Sequence, residues 1–194
     1  MRESQLFLPF EAPQHGLDRL FFAILSPPEA AMQIAECVQF LRAEHGLKGR
    51  PIGPDRLHIS LHGLGDHPRL PKALVEQARG AGASVAMPPF DVVFDRAVSF
   101  ARKNKKPPVV LRASGDVTPL VAFHRRLGDA MKKAGLGRRV ASRFTPHMTL
   151  IYDDRVVKER AVEAVRLTVR DFALVHSLVG RSRYIELARW PLHG

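Results

Sequence analysis

The sequence predicts an α+β fold with two pseudo-symmetric lobes of mainly antiparallel sheet, helices on the outside and a central cleft. Three observations carry that expectation. A four-residue pattern occurs twice, as His58-Ile59-Ser60-Leu61 and as His147-Met148-Thr149-Leu150. A strand-like run, a helix-like run and then the motif strand recur in both halves of the chain. Hairpin-like strand pairs are mixed with the strand–helix–strand units, which favours antiparallel sheets over a doubly wound parallel one.

Arg19 to Leu25 (RLFFAIL) is a compact apolar run of strand length. Ser26-Pro27-Pro28 ends it and starts a helix, with serine as the expected cap and proline tolerated in the first turn. Ala30, Ile34, Cys37, Val38 and Leu41 recur at helical spacing to about Glu44, and Gly46 marks the stop. Pro51 to Pro54 reads as a loop, and Leu57 to Leu64 as the first motif strand. Leu70 to Ala81 reads as a second helix, and Phe90 to Ala101 alternates as a strand. Arg102 to Lys106 is a basic turn before a returning strand at Val109 to Leu111. Asp116 or Thr118 is placed to cap a third helix running to about Ala134, with Leu120, Phe123, Leu127 and Met131 on one face. Met148 to Tyr152 is the second motif strand. Ala161 to Val165 is expected to be helical, and Phe172 to Leu178 and Tyr184 to Leu187 read as closing strands. Residues 1–17 are expected to form a loose arm, broken by Pro9 and Pro13 and without the apolar core of a signal peptide. Residues 18–194 are then a single bilobal domain.

The chain has 194 residues, 45% hydrophobic and 25% charged, which is ordinary for a globular protein. Its one cysteine, Cys37, excludes an internal disulfide and a cysteine-built metal cage. A reducing, cytoplasmic setting is expected, with Cys37 as an inert thiol on an apolar helix face. No apolar run is long enough for a membrane helix, and no long apolar seam argues against a monomer. The formal net charge of +11 favours phosphate-bearing partners, although an arginine-rich composition also has bland causes.

Side chains at i and i+2 of a strand share a face. His58 and Ser60 therefore project together, as do His147 and Thr149. Two such strands across a cleft supply a general acid, a general base and two hydroxyl donors with no metal or cofactor. That set suits a ribose 2',3'-cyclic phosphate, whose hydrolysis needs one histidine neutral and one cationic near neutral pH. A lone histidine on a strand is usually structural; two matched copies, one per half, are a much stronger signal. The sequence does not order the acid and the base. His62, two residues beyond Ser60, is expected on the same face as a supporting or surface residue. Its i, i+4 spacing from His58, about 13 Å along a strand, is too long for joint metal ligation.

These segments resemble the two-histidine (HxTx-motif) phosphoesterases, which carry one H-x-T/S-x motif in each lobe. RLFFAIL resembles the family's first strand, Arg56 to Gly65 its first motif segment and Phe144 to Leu150 its second, and the resemblance covers most of residues 18–192. It looks nearest to the bacterial RNA 2',3'-cyclic phosphodiesterases, also called 2'-5' RNA ligases. The resemblance implies a bilobal fold, metal-free opening of a cyclic phosphate to a 2'-phosphate, and RNA or nucleotide substrates. It gives His58 as proton donor and His147 as acceptor, with Ser60 and Thr149 on the phosphoryl oxygens, and reverse 2'-5' ligation as a further possibility. Ser60 stands where threonine is commoner. Tyr152 stands where many members have arginine, so that phosphate contact is either lost or supplied from elsewhere; Arg143 is the candidate substitute, beside the plainer reading of it as a solvated surface residue. Two other readings remain: an RNA-binding module that kept the cleft but lost catalysis, and a phosphodiesterase for a different cyclic phosphate. Trp190 is expected to pack in the core rather than stack on a base.

Overall fold

Five consecutive residues, Leu20 to Ile24, are buried in β1 (Asp18–Leu25). Such a run needs cover on both faces of a central strand, and that is the position β1 takes in the computed structural model, which describes residues 17–101 and 105–194. Most of the expected arm and residues 102–104 of the basic turn lie outside the described residues.

The remaining elements follow in chain order: α1 (Pro28–His45), β2 (His58–His67), α2 (Lys72–Ala83), β3 (Phe90–Ser99), β4 (Pro108–Arg112), α3 (Thr118–Lys133), β5 (Met148–Tyr152), β6 (Arg160–Val169), β7 (Asp171–Leu178) and β8 (Arg183–Pro191). Short 3-10 turns at Pro54–Arg56 and Gly137–Arg139 precede the two motif strands. The strands form one antiparallel sheet in the order β6-β3-β4-β5-β2-β1-β7-β8. That order has the predicted symmetry. From the middle outward, β5-β4-β3-β6 mirrors β2-β1-β7-β8, and β4-α3-β5 mirrors β1-α1-β2. The halves meet through a single register pair, Ile59 with Met148, so two four-stranded lobes hinge on the two motifs.

The helices cover one side of the sheet. α1 lies against β5 and β6, α2 against β7 and β8, and α3 against α2, β3 and β2. Between helices and sheet lies the main core, with Phe22, Phe94, Phe123 and Phe172 fully buried. Each such side chain contributes about 1.5–3 kcal/mol by burial. Phe123 meets Phe172 edge-on at 5.1 Å, and Trp190 closes over Phe172 at 5.1 Å. Trp190 therefore packs in the core, as expected. A Cβ at Gly82 would lie 2.5 Å from its ring, so α2 approaches β8 closely only because that residue is glycine. A second apolar cluster, Phe21, Ala23, Ala173 and Val175 with Leu25 and Tyr184, is separate from the main core.

Three expectations need correction. Residues 161–165 are strand, not helix. Val165, Leu167 and Val169 are buried in alternation, and residues 160–169 pair with β3, so sheet pairing and β-branched packing decide the segment. Ser26 does not cap α1. Pro27 occupies the cap position without a side-chain bond, and Gly46, in the left-handed conformation at φ 61°, ends the helix. His62 does not share a face with Ser60. Between Ala23–Ser60 and Phe21–Gly63 the β1–β2 register shifts by one residue, and this bulge turns both Leu61 and His62 into the protein. At α3, by contrast, Asp116 does act at the helix start, accepting the Thr118 N–H at 2.7 Å.

Candidate active site

The register at the seam fixes how the motif residues meet. With Ile59 opposite Met148 in antiparallel sense, His58 runs beside Thr149 and Ser60 beside His147. Ile59 and Met148 are buried in the core, so the four polar residues project from the other face. A regular ladder in this register puts the diagonal His58–His147 pair about 7–8 Å apart. Both strands bulge immediately beyond the hydroxyl residue. β5 shifts register between Val110–Thr149 and Val109–Ile151, as β2 does after Ser60. The alternation that presents each motif is thereby broken after one histidine and one hydroxyl.

The two imidazoles are held in the same way. His58 Nδ1 lies 2.7 Å from the Arg56 carbonyl oxygen, and His147 Nδ1 lies 2.7 Å from that of Thr145. A carbonyl only accepts, so each Nδ1 carries a proton and donates it. Each Nε2 is then left for chemistry, as lone pair or as N–H according to the charge of the ring. The 3-10 turn ending at Arg56 and the Phe144-Thr145-Pro146 segment present these carbonyls two residues before each histidine. His58 Nε2 is 3.0 Å from Ser60 Oγ. Neutral His58 accepts from that hydroxyl, and cationic His58 donates to it, freeing the hydroxyl proton for a ligand.

The surroundings are less symmetric. His58, half-buried, lies 5.2 Å from the Phe21 ring and 5.5 Å, edge-on, from Tyr184. His147 lies 5.0 Å from Phe100. Burial pushes the His58 pKa below its ordinary 6.5, the Arg56 carbonyl bond opposes this, and the charges of His147 and Arg56 lower it further. The Arg56 guanidinium stands 6.0 Å from the Tyr184 ring. Burial also raises the Tyr184 phenol, and the Arg56 charge works against that. Phe21, Phe100, Arg56 and Tyr184 were not singled out from the sequence. Arg56 had a detectable signal, two residues before the first motif histidine. Tyr184 reaches the site only through the pairing of β8 with β7 and of β7 with β1.

Behind the sheet a ring stack supports the second motif. His62 lies 3.9 Å from His124, and His124 lies 4.1 Å from Phe144 at only 6°. The Ala141 N–H donates to His62 Nδ1 at 3.2 Å, so His62 Nε2 carries the proton and donates to the His124 carbonyl at 2.9 Å. Residue 62 of the first motif strand thus fastens the loop that delivers Thr145 and His147. Arg139, donating to the Leu64 carbonyl, fastens it again. Burial and the His62 charge bring His124 down to about 4.

The structure brings His58, Ser60, His147 and Thr149 together at one seam. Arg143 lies outside that quartet, exposed on the loop before β5, with no hydrogen bond or ion pair to another described residue. Tyr152 is 41% exposed at the end of β5. Cys37 is half-buried on α1, and burial pushes its thiol up to about 11. Among the described residues no three His, Cys, Asp or Glu side chains gather as metal ligands, and no helix is long and apolar enough to cross a membrane.

An Escherichia coli RNA 2',3'-cyclic phosphodiesterase is 29% identical over 187 residues, spanning 90% of this chain and 96% of the relative. The crystal structure of E. coli LigT complexed with NADP+ superposes with a TM-score of 0.72 at 28% identity, covering 92% of this chain and 99% of that one. LigT complexed with 3'-AMP gives a TM-score of 0.67 at 26% identity over the same shares. Residues 26–181 match the family model of the 2'-5' RNA ligase superfamily. The chain is therefore a member of the 2'-5' RNA ligase superfamily of two-histidine phosphoesterases, and has that family's α+β fold.

Proposed function

We propose that this chain opens 2',3'-cyclic phosphates at RNA ends or on nucleotides, leaving a 2'-phosphate, by acid–base catalysis between His58 and His147 without a metal. The observation that carries this reading is the paired Nδ1-to-carbonyl lock, which aims two Nε2 atoms from one seam. His147 Nε2 takes a proton from water as its oxygen bonds to phosphorus. The bond from phosphorus to O3' breaks, and His58 Nε2–H gives its proton to that oxygen. Ser60 and Thr149 donate to the phosphoryl oxygens as charge grows on them, each worth about 2–4 kcal/mol where the contact tightens in the transition state.

Burial favours neutral His58 in the empty cleft, whereas the donor role needs its cation. A bound cyclic phosphate is an anion, and an anion beside an imidazole favours the charged ring. Substrate itself therefore charges the donor. Ligation to a 2'-5' linkage is the same path in reverse, with a ribose hydroxyl in place of water.

The test is hydrolysis of a nucleoside 2',3'-cyclic phosphate in excess EDTA by wild type, His58→Ala and His147→Ala. Wild type is expected to turn over, with a 2'-phosphate product, and each variant to lose about 10²–10⁴-fold in kcat while keeping its thermal transition. Full activity in either variant overturns the reading. RNA binding without turnover in wild type would instead make the chain a binding module, and turnover of other cyclic phosphates alone would move the substrate assignment.

A further inference from the structure

Helix α3 and the loop returning from it enclose a groove of about 580 Å3. Arg125, Asp129 and Lys132 line one wall, at spacings that share a helix face. Ser142 and Phe144 belong to the other. His124 lies in this groove, 5% exposed, and its Nε2 has no hydrogen-bond partner. A buried ring nitrogen left unpaired is costly. The charge is one-sided. Residues 118–146 carry seven Lys and Arg side chains against Asp129 alone, which is six of the chain's eleven net positive charges. Arg125 is exposed and makes no hydrogen bond to a described residue. Lys132 is held only by the exposed Asp129 carboxylate at 2.9 Å, a pair cheap to exchange for a phosphate. The loop wall continues directly into the second motif, Phe144 standing three residues before His147.

We propose that this groove docks the body of an RNA strand whose cyclic end occupies the cleft, with backbone phosphates on Arg125 and Lys132. The proposal rests on the hydrolase reading above. The catalytic quartet projects from one face of the sheet and the groove opens behind it; the 141–146 loop walls the groove and runs on into His147, so a strand whose last nucleotide fills the cleft reaches the groove by passing around that loop. A mononucleotide does not reach the groove, so the two substrates separate it from the catalytic seam.

The experiment compares a nucleoside 2',3'-cyclic phosphate with an RNA oligonucleotide of about ten nucleotides bearing the same end. Each is hydrolysed by wild type and by an Arg125→Gln, Lys132→Gln double variant at 50 and 200 mM salt. Removing two phosphate contacts lowers the salt slope for single-stranded RNA by about 1.4, so wild-type KM for the oligonucleotide should rise about sevenfold more than the variant's across that range. The mononucleotide KM and kcat should be the same in both proteins. An Arg125→Lys, Lys132→Arg variant, which keeps the charge, should retain the wild-type slope. Equal slopes in wild type and the neutralised variant, or an equal change for both substrates, overturn the groove. If wild type fails on the mononucleotide, the hydrolase reading falls instead. Anisotropy of the labelled oligonucleotide then reads the same slope difference without turnover.

Discussion

Acidification should loosen this fold through one identifiable ring. His124 titrates at about 4 in the folded chain against 6.5 for a free imidazole, because burial and the neighbouring His62 oppose its charge. The unfolded chain therefore binds more protons between those values. Stability is full above pH 6.5, falls as pH drops through 6.5, and levels off below about 4. At pH 5 the loss relative to pH 7 is about 1–2 kcal/mol, after allowing for screening by water in the adjoining groove. For a chain of this length that lowers Tm by roughly 2–8 °C. His62 and His58 are shifted in the same direction and add to it. Carboxylates held by ion pairs or N–H donors, such as Asp66 and Asp153, lie below 3.8 when folded and titrate under this window. Thermal unfolding at pH 7 and pH 5, for wild type and His124→Phe, isolates the effect. Phenylalanine keeps a ring between His62 and Phe144, removes the unpartnered Nε2 and cannot titrate. The variant should lose clearly less Tm on acidification than wild type. An equal loss in the two proteins would refute the assignment of the titrating group.

Two further outcomes follow from the site and its supports. The pH profile of kcat/KM, which reports the free enzyme, should lie at lower pH than that of kcat, because burial depresses the His58 donor and the bound anionic substrate raises it again. Coincident limbs in the two profiles would remove the substrate-charging step. Asp153, 4% exposed, accepts the backbone N–H groups of Lys48, Gly49 and Arg155 at 2.5–2.9 Å. Burial raises its pKa, but these bonds hold it below the ordinary carboxylate value. Asp153→Ala strands those donors at a cost of about 2–4 kcal/mol, read as a Tm fall of roughly 4–16 °C, and a shift under a degree or two would contradict that role.

Much of the architecture was legible because it is written locally. Period-2 alternation marks both motif strands, apolar spacing marks α1 and α3, and the glycine at residue 46 marks a helix end. β6 was misread because Ala161 to Val165 is equally compatible with a helix over so short a span, and only the partner strand β3 decides it. His62 was misplaced for a related reason. Alternation assumes an unbroken ladder, whereas the bulge depends on the register with β1, which no local pattern encodes. The quartet His58, Ser60, His147 and Thr149 was legible as residue types but not as a geometry. Its orientation depends on two backbone carbonyls, at Arg56 and Thr145, and any residue type supplies a carbonyl. Tyr184 and Phe100 entered unseen because they reach their histidines through chain folding alone.

Duplicated motifs pose a chemical problem that the rest of the chain has to solve. Two histidines locked through the same nitrogen to the same i−2 carbonyl are equivalent, yet an acid and a base must differ. Nothing in the motifs themselves supplies that difference. It comes from what each lobe packs beside its copy. His58 is walled by Phe21 and Tyr184 with the Arg56 cation close by, and these disfavour its charge in the empty cleft. His147 has Phe100 on one side and is delivered by a loop anchored through His62 and His124. The asymmetry therefore lies in β1, β8 and the loop before β5, not in the motif strands. Exchanging Ser60 for threonine should be nearly silent, since it restores the symmetry of elements that do not carry the distinction. Replacing Tyr184 with leucine strikes the wall instead. It should move the kcat/KM profile towards higher pH, because it opens His58 to water.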